Sequence, residues 1–215
     1  MTAAGYLYDD FLESADIAAT LLSDPAVAES WDEPSALAEF TVRGLAGHLA
    51  SQIFVTRQRL AAQPPEGECV PVLEHYARAR WVGVGLDHEI SVAARRGGED
   101  AAAGGAAELA RHATAAVVEL SGVLPRQPAD RLIQATGGTW LLTLPDFLLI
   151  RLVEIAVHAD DLSVSAGIDC PPLPTRVADT VLGLLTRLAG RRHGTTAVLR
   201  ALSRAERAPA TIAAF

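Results

Sequence analysis

Between Phe147 and Leu162 the chain reads FLLIRLVEIAVHADDL, an apolar run interrupted only by Arg151, Glu154, His158 and the pair Asp160-Asp161. At about 100° per residue, Arg151, Glu154, His158 and Asp161 fall within an arc of roughly 80° on one helix. The rest of the circumference is Leu, Ile, Val, Ala and Phe, so this helix has to be buried on most sides. Charges taken into such surroundings must be paired, hydrogen-bonded or bound to a metal, because desolvating them alone is too unfavourable. The fold must therefore wrap the segment in other apolar helices and supply polar partners along one stripe.

The neighbouring segments provide those helices. Tyr6 to Ser23 repeats apolar residues at Leu7, Phe11, Ala15, Ala18 and Leu22, a helical spacing. Ser30 to Phe40 is a connector containing Pro34. Thr41 is a suitable N-cap for a second helix reaching about Ala61, with Val42, Leu45, Leu49 and Ile53 as its stripe. Gln63 to Gly67 ends it. A third helix is expected from Pro71 to about Arg95, closed by Gly97-Gly98, and a fourth from Ala106 to Leu120. Arg131 to Leu142 reads as extended around a Gly137-Gly138 turn, a small hairpin. The charged-stripe helix begins near Pro145, a residue suited to a first helical turn, and stops near Gly167. After Cys170 to Pro174 come helices at about Thr175 to Ala189 and Thr195 to Ser203, then a tail from Pro209 to Phe215. Many helices, short connections and little strand signal predict an all-α protein, an antiparallel helical bundle over residues 1–168 with a short C-terminal extension, 169–215, packed on it.

Bulk properties narrow the function classes. All 18 basic residues are Arg, the formal net charge is −8, and no basic run exceeds two residues, which disfavours nucleic-acid binding. No apolar run approaches the ~20 residues of a membrane span, and no secretory signal is visible, so a cytoplasmic protein is expected. The two cysteines, Cys69 and Cys170, have no metal-binding or redox spacing.

Glu154 and His158 stand four residues apart and can reach one ion from the same helix face. A third ligand must come from another helix, and His48, at the edge of the Leu45/Leu49 stripe, is the candidate. A His/Glu/His set leaves coordination positions open, as catalytic metal sites do. Imidazole and carboxylate suit zinc, with nickel, iron or manganese as substitutes. Arg151 is expected either to pair with Glu154 or to anchor an anionic substrate. Asp161 either orients an imidazole or lies in solvent, and Asp160 faces solvent.

Three stretches carry a resemblance. SWDEPSALAEFTVRGLAGHLA (residues 30–50) is similar to the opening of the mycothiol-dependent maleylpyruvate isomerase family, with its Trp-containing connector, Thr-Val-Arg helix start and Leu-x-x-His-Leu core. RLVEIAVHADDLSVSAG (151–167) resembles the family's Val-Glu-x-x-x-His-x-x-Asp-Leu helix, and LRALSRAERAPATIAAF (199–215) resembles the ending of its short members. The resemblance implies a DinB-like four-helix bundle carrying a divalent metal on His48, Glu154 and His158. It further implies mycothiol, the small thiol of actinobacteria, as a cosubstrate whose metal-held thiolate adds to a small electrophile, in an isomerase or thiol-transferase reaction. The sequence departs from the family at Gly44, where an acidic residue would complete a capping box with Thr41.

Two other readings stand beside this one: a metallohydrolase using metal-bound water, for which no further Glu is placed as general base, and a non-catalytic metal- or ligand-binding scaffold. The partners expected are a small thiol and an electrophile, with a homodimer as the oligomeric option. His75, His88, His112 and His193 are expected at the surface or the core edge. Trp31, Trp81 and Trp140 are expected to serve in packing, with Trp140 alternatively roofing a pocket.

Overall fold

The computed structural model describes residues 3–64, 66–81 and 83–215. Met1, Thr2, Pro65 within the expected Gln63–Gly67 break and Val82 within the expected third helix lie outside the described residues. The bundle helices are α1 (Ala3–Leu22), α3 (Val42–Ala61), α6 (Ala106–Val123) and α7 (Leu144–Ala166), with a short α2 (Pro25–Glu29) between the first two. They close a ring in which α1 and α3 each pack against both α6 and α7. The all-α bundle expected from the sequence is the architecture observed.

The helical stripes explain this packing. Phe11, Ala15 and Ala18 of α1, Val42, Leu45, Leu49 and Ile53 of α3, and Ala113 and Ala116 of α6 are fully buried. The α7 helix also meets α8 (Thr175–His193), and Leu148, Leu152, Ile155 and Leu162 on its different faces have no exposure. Its ends are built locally. The Thr143 hydroxyl accepts from the Asp146 N–H at the start. Gly167 stops it in the left-handed conformation (φ 69°), where the Ile168 N–H returns to the Ser163 carbonyl.

The hairpin is also present. Strand β1 (Leu132–Gln134) pairs antiparallel with β2 (Leu141–Thr143), Ile133 opposite Leu142, and its loop turns through Gly137 at φ 74°. The remaining helix, α9 (Thr195–Ser203), packs against α8. No helix among the described residues is long and apolar enough to cross a membrane.

One element differs from the sequence expectation. The single third helix is two: α4 (Val72–Arg78) and α5 (Glu89–Ala101). Gly83 has φ 77°, which breaks the helical path, and the His88 side chain accepts from the Ile90 N–H to restart it. The Gly97-Gly98 pair does not close α5 but lies inside it. Gly98 touches α3 so closely that a Cβ there would stand 2.1 Å from the Gly44 carbonyl oxygen, and a Cβ on Gly47 would stand 2.0 Å from the Gly98 oxygen. Glycine is kept in the helix by this backbone contact, which outweighs its propensity penalty of about 1 kcal/mol. The same crossing brings a carboxylate to the N-cap of α3. Thr41 caps α3 by accepting from the Gly44 N–H at 3.0 Å and donates its hydroxyl to Glu99 of α5, while Arg43 pairs with the same carboxylate.

Candidate metal centre

His48 projects from the middle of α3, two residues after the fully buried Ala46 and one before Leu49, and so emerges at the margin of the buried stripe. Glu154 and His158 project from α7, which packs against α3. Donor atoms of His48, Glu154 and His158 all lie within 4.8 Å of one another. His48 Nε2 is 3.6 Å and His158 Nε2 is 3.4 Å from the same carboxylate oxygen, Glu154 Oε2. The two imidazoles meet edge to face with centroids 4.7 Å apart, and Phe40 covers His48 from another side. Each of the three side chains is mostly buried but keeps some access to solvent.

Two neighbours fix the geometry. His158 Nδ1 lies 3.0 Å from Asp161 Oδ2. An ionised carboxylate only accepts, so Nδ1 carries the proton and Nε2 is turned toward Glu154. Asp161 is only partly exposed, while Asp160 is exposed as expected. Arg151 is buried and does not pair directly with Glu154; its Nη1 donates to Gln52 Oε1 at 2.7 Å, and its guanidinium lies over the Phe147 ring. Gln52 in turn donates to the His48 carbonyl at 3.0 Å. This Arg151–Gln52–His48 chain ties the two metal-candidate helices together. Gln52 stands one turn after His48, and its role depends on Arg151 across the interface.

Of the two places expected for it, surface or core edge, His75 of α4 takes the inner one: it is buried, receives the Trp140 Nε1–H on Nδ1 at 3.1 Å, and meets Tyr76 edge to face. Trp140 is therefore a packing residue with its polar end satisfied. Of the other histidines, His88 caps α5, His112 lies near Glu108 on α6, and His193 contacts the Ala213 carbonyl. Cys69 and Cys170 are exposed and unpaired.

Burial alone would raise the Glu154 carboxyl, but contacts with His158 and His48 and the Arg151 charge hold it well below the usual carboxylate range. Burial would lower His158, yet Asp161 and Glu154 push it up to about 9. Burial, aided by Arg151, pushes His75 down to about 4. These shifts have opposite consequences for the metal-free protein. His158 is raised, so its stabilisation is complete below its ordinary value of 6.5 and is lost as pH rises through 9, about 3 kcal/mol in all. His75 is depressed, so its contribution is complete above 6.5 and is lost as pH falls toward 4. Thermal unfolding of chelator-treated protein should therefore show its highest midpoint near pH 6.5, and added divalent metal should remove the alkaline decline. A midpoint unchanged between pH 6.5 and 9 in chelator would contradict this account of His158.

The donor set suits a divalent ion: two imidazole nitrogens and a carboxylate oxygen converge from two helices, and an acceptor already orients one of the rings. Comparison with known proteins finds no match among curated proteins and none among solved structures. The model of one protein family, described as the mycothiol maleylpyruvate isomerase N-terminal domain, matches residues 11–163, a span that contains His48, Glu154 and His158, and the chain belongs to that family.

Proposed function

We propose that His48, Glu154 and His158 hold one divalent metal, with zinc the best-suited ion, and that the protein activates the thiol of mycothiol for addition to a small electrophile. The observation that carries this reading is the convergence of the three donor atoms within 4.8 Å, in a member of the mycothiol maleylpyruvate isomerase N-terminal family. When bound, the metal would supply Lewis acidity that lowers the pKa of a ligated thiol and makes it nucleophilic at neutral pH.

The protein's own residues prepare the site for this. Asp161 holds the His158 proton on Nδ1 and so keeps Nε2 available as a donor. Glu154, held ionised by both imidazoles and Arg151, contributes the negative charge. Gln52 and Arg151 lock the backbone of α3 at His48 against α7. Among the described residues the buried Arg151 guanidinium has no carboxylate in ion-pair contact, and its Nε has no hydrogen-bond partner, so it can receive an anionic or oxygen-bearing part of the electrophile. Neither cysteine belongs to the cluster, which fits a nucleophile brought in by a cosubstrate.

Cobalt substitution tests the thiol step. Millimolar mycothiol should shift the visible spectrum of the cobalt-loaded protein and add a sulfur-to-metal charge-transfer band. A spectrum unchanged by the thiol, in protein shown to hold one cobalt, would overturn the reading.

One observation favours a scaffold as the second reading. His158 lies between Glu154 and Asp161, so when protonated it pairs with both carboxylates, and Glu154 also meets His48 of α3, joining α3 to α7. On that reading Glu154→Gln lowers stability with no catalytic consequence. A turnover defect in a well-folded Glu154→Gln protein counts against it.

A further inference from the structure

A cavity of about 310 Å³ that includes none of the three cluster residues lies between α4, α8 and the segment that ends at Phe215. Leu73, Tyr76, Leu188 and Phe215 form its apolar walls. Two of these are stacked aromatics: the Tyr76 and Phe215 rings lie 24° from parallel with centroids 5.6 Å apart, and Trp81 backs Phe215 at 5.1 Å. The segment is held in place by the contact of His193 Nε2 with the Ala213 carbonyl at 2.8 Å.

Arg191 and Arg192 also line this cavity. Arg191 donates to the Leu73 carbonyl at 2.8 Å, which ties α8 to α4. Neither arginine makes an ion pair with a carboxylate among the described residues, and no acidic residue lines the cavity. This arrangement stands out in a chain of net charge −8, where acidic partners outnumber the cations. A guanidinium without a carboxylate partner is free to pair with an anion, and its planar donor fork matches a carboxylate. The volume is at the small end of ligand sites, enough for about one ring and its substituent.

We propose that this cavity binds a small aromatic carboxylate, the ring against Tyr76, Leu188 and Phe215 and the acid group on Arg191 and Arg192. The inference goes beyond the metal reading and does not require it, since none of its residues belongs to the cluster.

Phenylacetate and its neutral counterpart phenylacetamide test it, by titration calorimetry on the full chain with and without bound metal. Phenylacetate should bind with a dissociation constant on the order of 1 mM, about tenfold or more tighter than phenylacetamide. Arg192→Gln, at an exposed position that leaves the core intact, should erase that preference by weakening the acid alone. Phe215→Ala should weaken both compounds and leave the preference for the acid in place. Chelation of metal should change neither. Equal affinity for acid and amide, acid binding unaffected by Arg192→Gln, or no saturable phenylacetate binding at millimolar concentration would each overturn the proposal.

Discussion

Replacing either His48 or His158 with alanine is expected to abolish metal retention, from about one divalent ion per chain to a trace, while the bundle stays folded. Each imidazole is one of only three protein donors, and two donors from a single helix, or one from each of two, cannot enclose an ion. The fold survives because neither ring belongs to the fully buried core, which at these helices is made by Leu45, Leu49, Leu152 and Ile155. Asp161→Asn provides the graded comparison. It leaves all three donors in place but removes the charged acceptor that orients His158, so affinity should fall about 10- to 100-fold rather than vanish. Metal analysis after gel filtration without chelator, followed by competition titration for the Asp161 variant, measures both effects. Wild-type protein free of metal, or His158→Ala protein retaining a full equivalent, would remove the basis for the proposed chemistry.

The sequence made some parts of this arrangement legible because their causes are local. The α7 stripe, its stop at Gly167 and the Thr41 cap follow from spacing and from single-residue conformational preference, and all three are present. His48 could be nominated because it borders an apolar stripe on its own helix. What escaped was set by partners distant in the chain. Gln52 gains its role from Arg151, 99 positions away, and His75 is buried by Trp140, 65 positions away. Gly44 lacks the capping-box carboxylate, and a carboxylate reaches the Thr41 side chain across space instead, from Glu99. Gly97-Gly98 was read as a helix stop because glycine usually serves there. Inside α5 the deciding quantity is instead the distance between two helix backbones, which no local pattern contains.

That crossing yields the second large effect, and neighbouring glycines give it opposite signs. Gly98→Ala should destabilise the protein by about 2–3 kcal/mol, because its Cβ would lie 2.1 Å from the Gly44 carbonyl oxygen and 3.3 Å from the His48 nitrogen, atoms that cannot move as a side chain would. The gain in helix propensity, about 1 kcal/mol, is too small to offset this. For a chain of this size the unfolding midpoint should drop by roughly 5–10 °C. Gly97→Ala, one residue earlier on the same helix, places its Cβ where nothing lies within 4 Å, so propensity alone acts and stability should rise by up to about 1 kcal/mol. Pushing α5 away from α3 also displaces the Glu99 contacts to Thr41 and Arg43 and the helix turn that carries His48. Gly98→Ala should consequently weaken metal binding without altering a ligand, whereas Gly97→Ala should leave it unchanged. If both substitutions shift stability and metal affinity in the same direction, the backbone contact between α3 and α5 is not what positions His48.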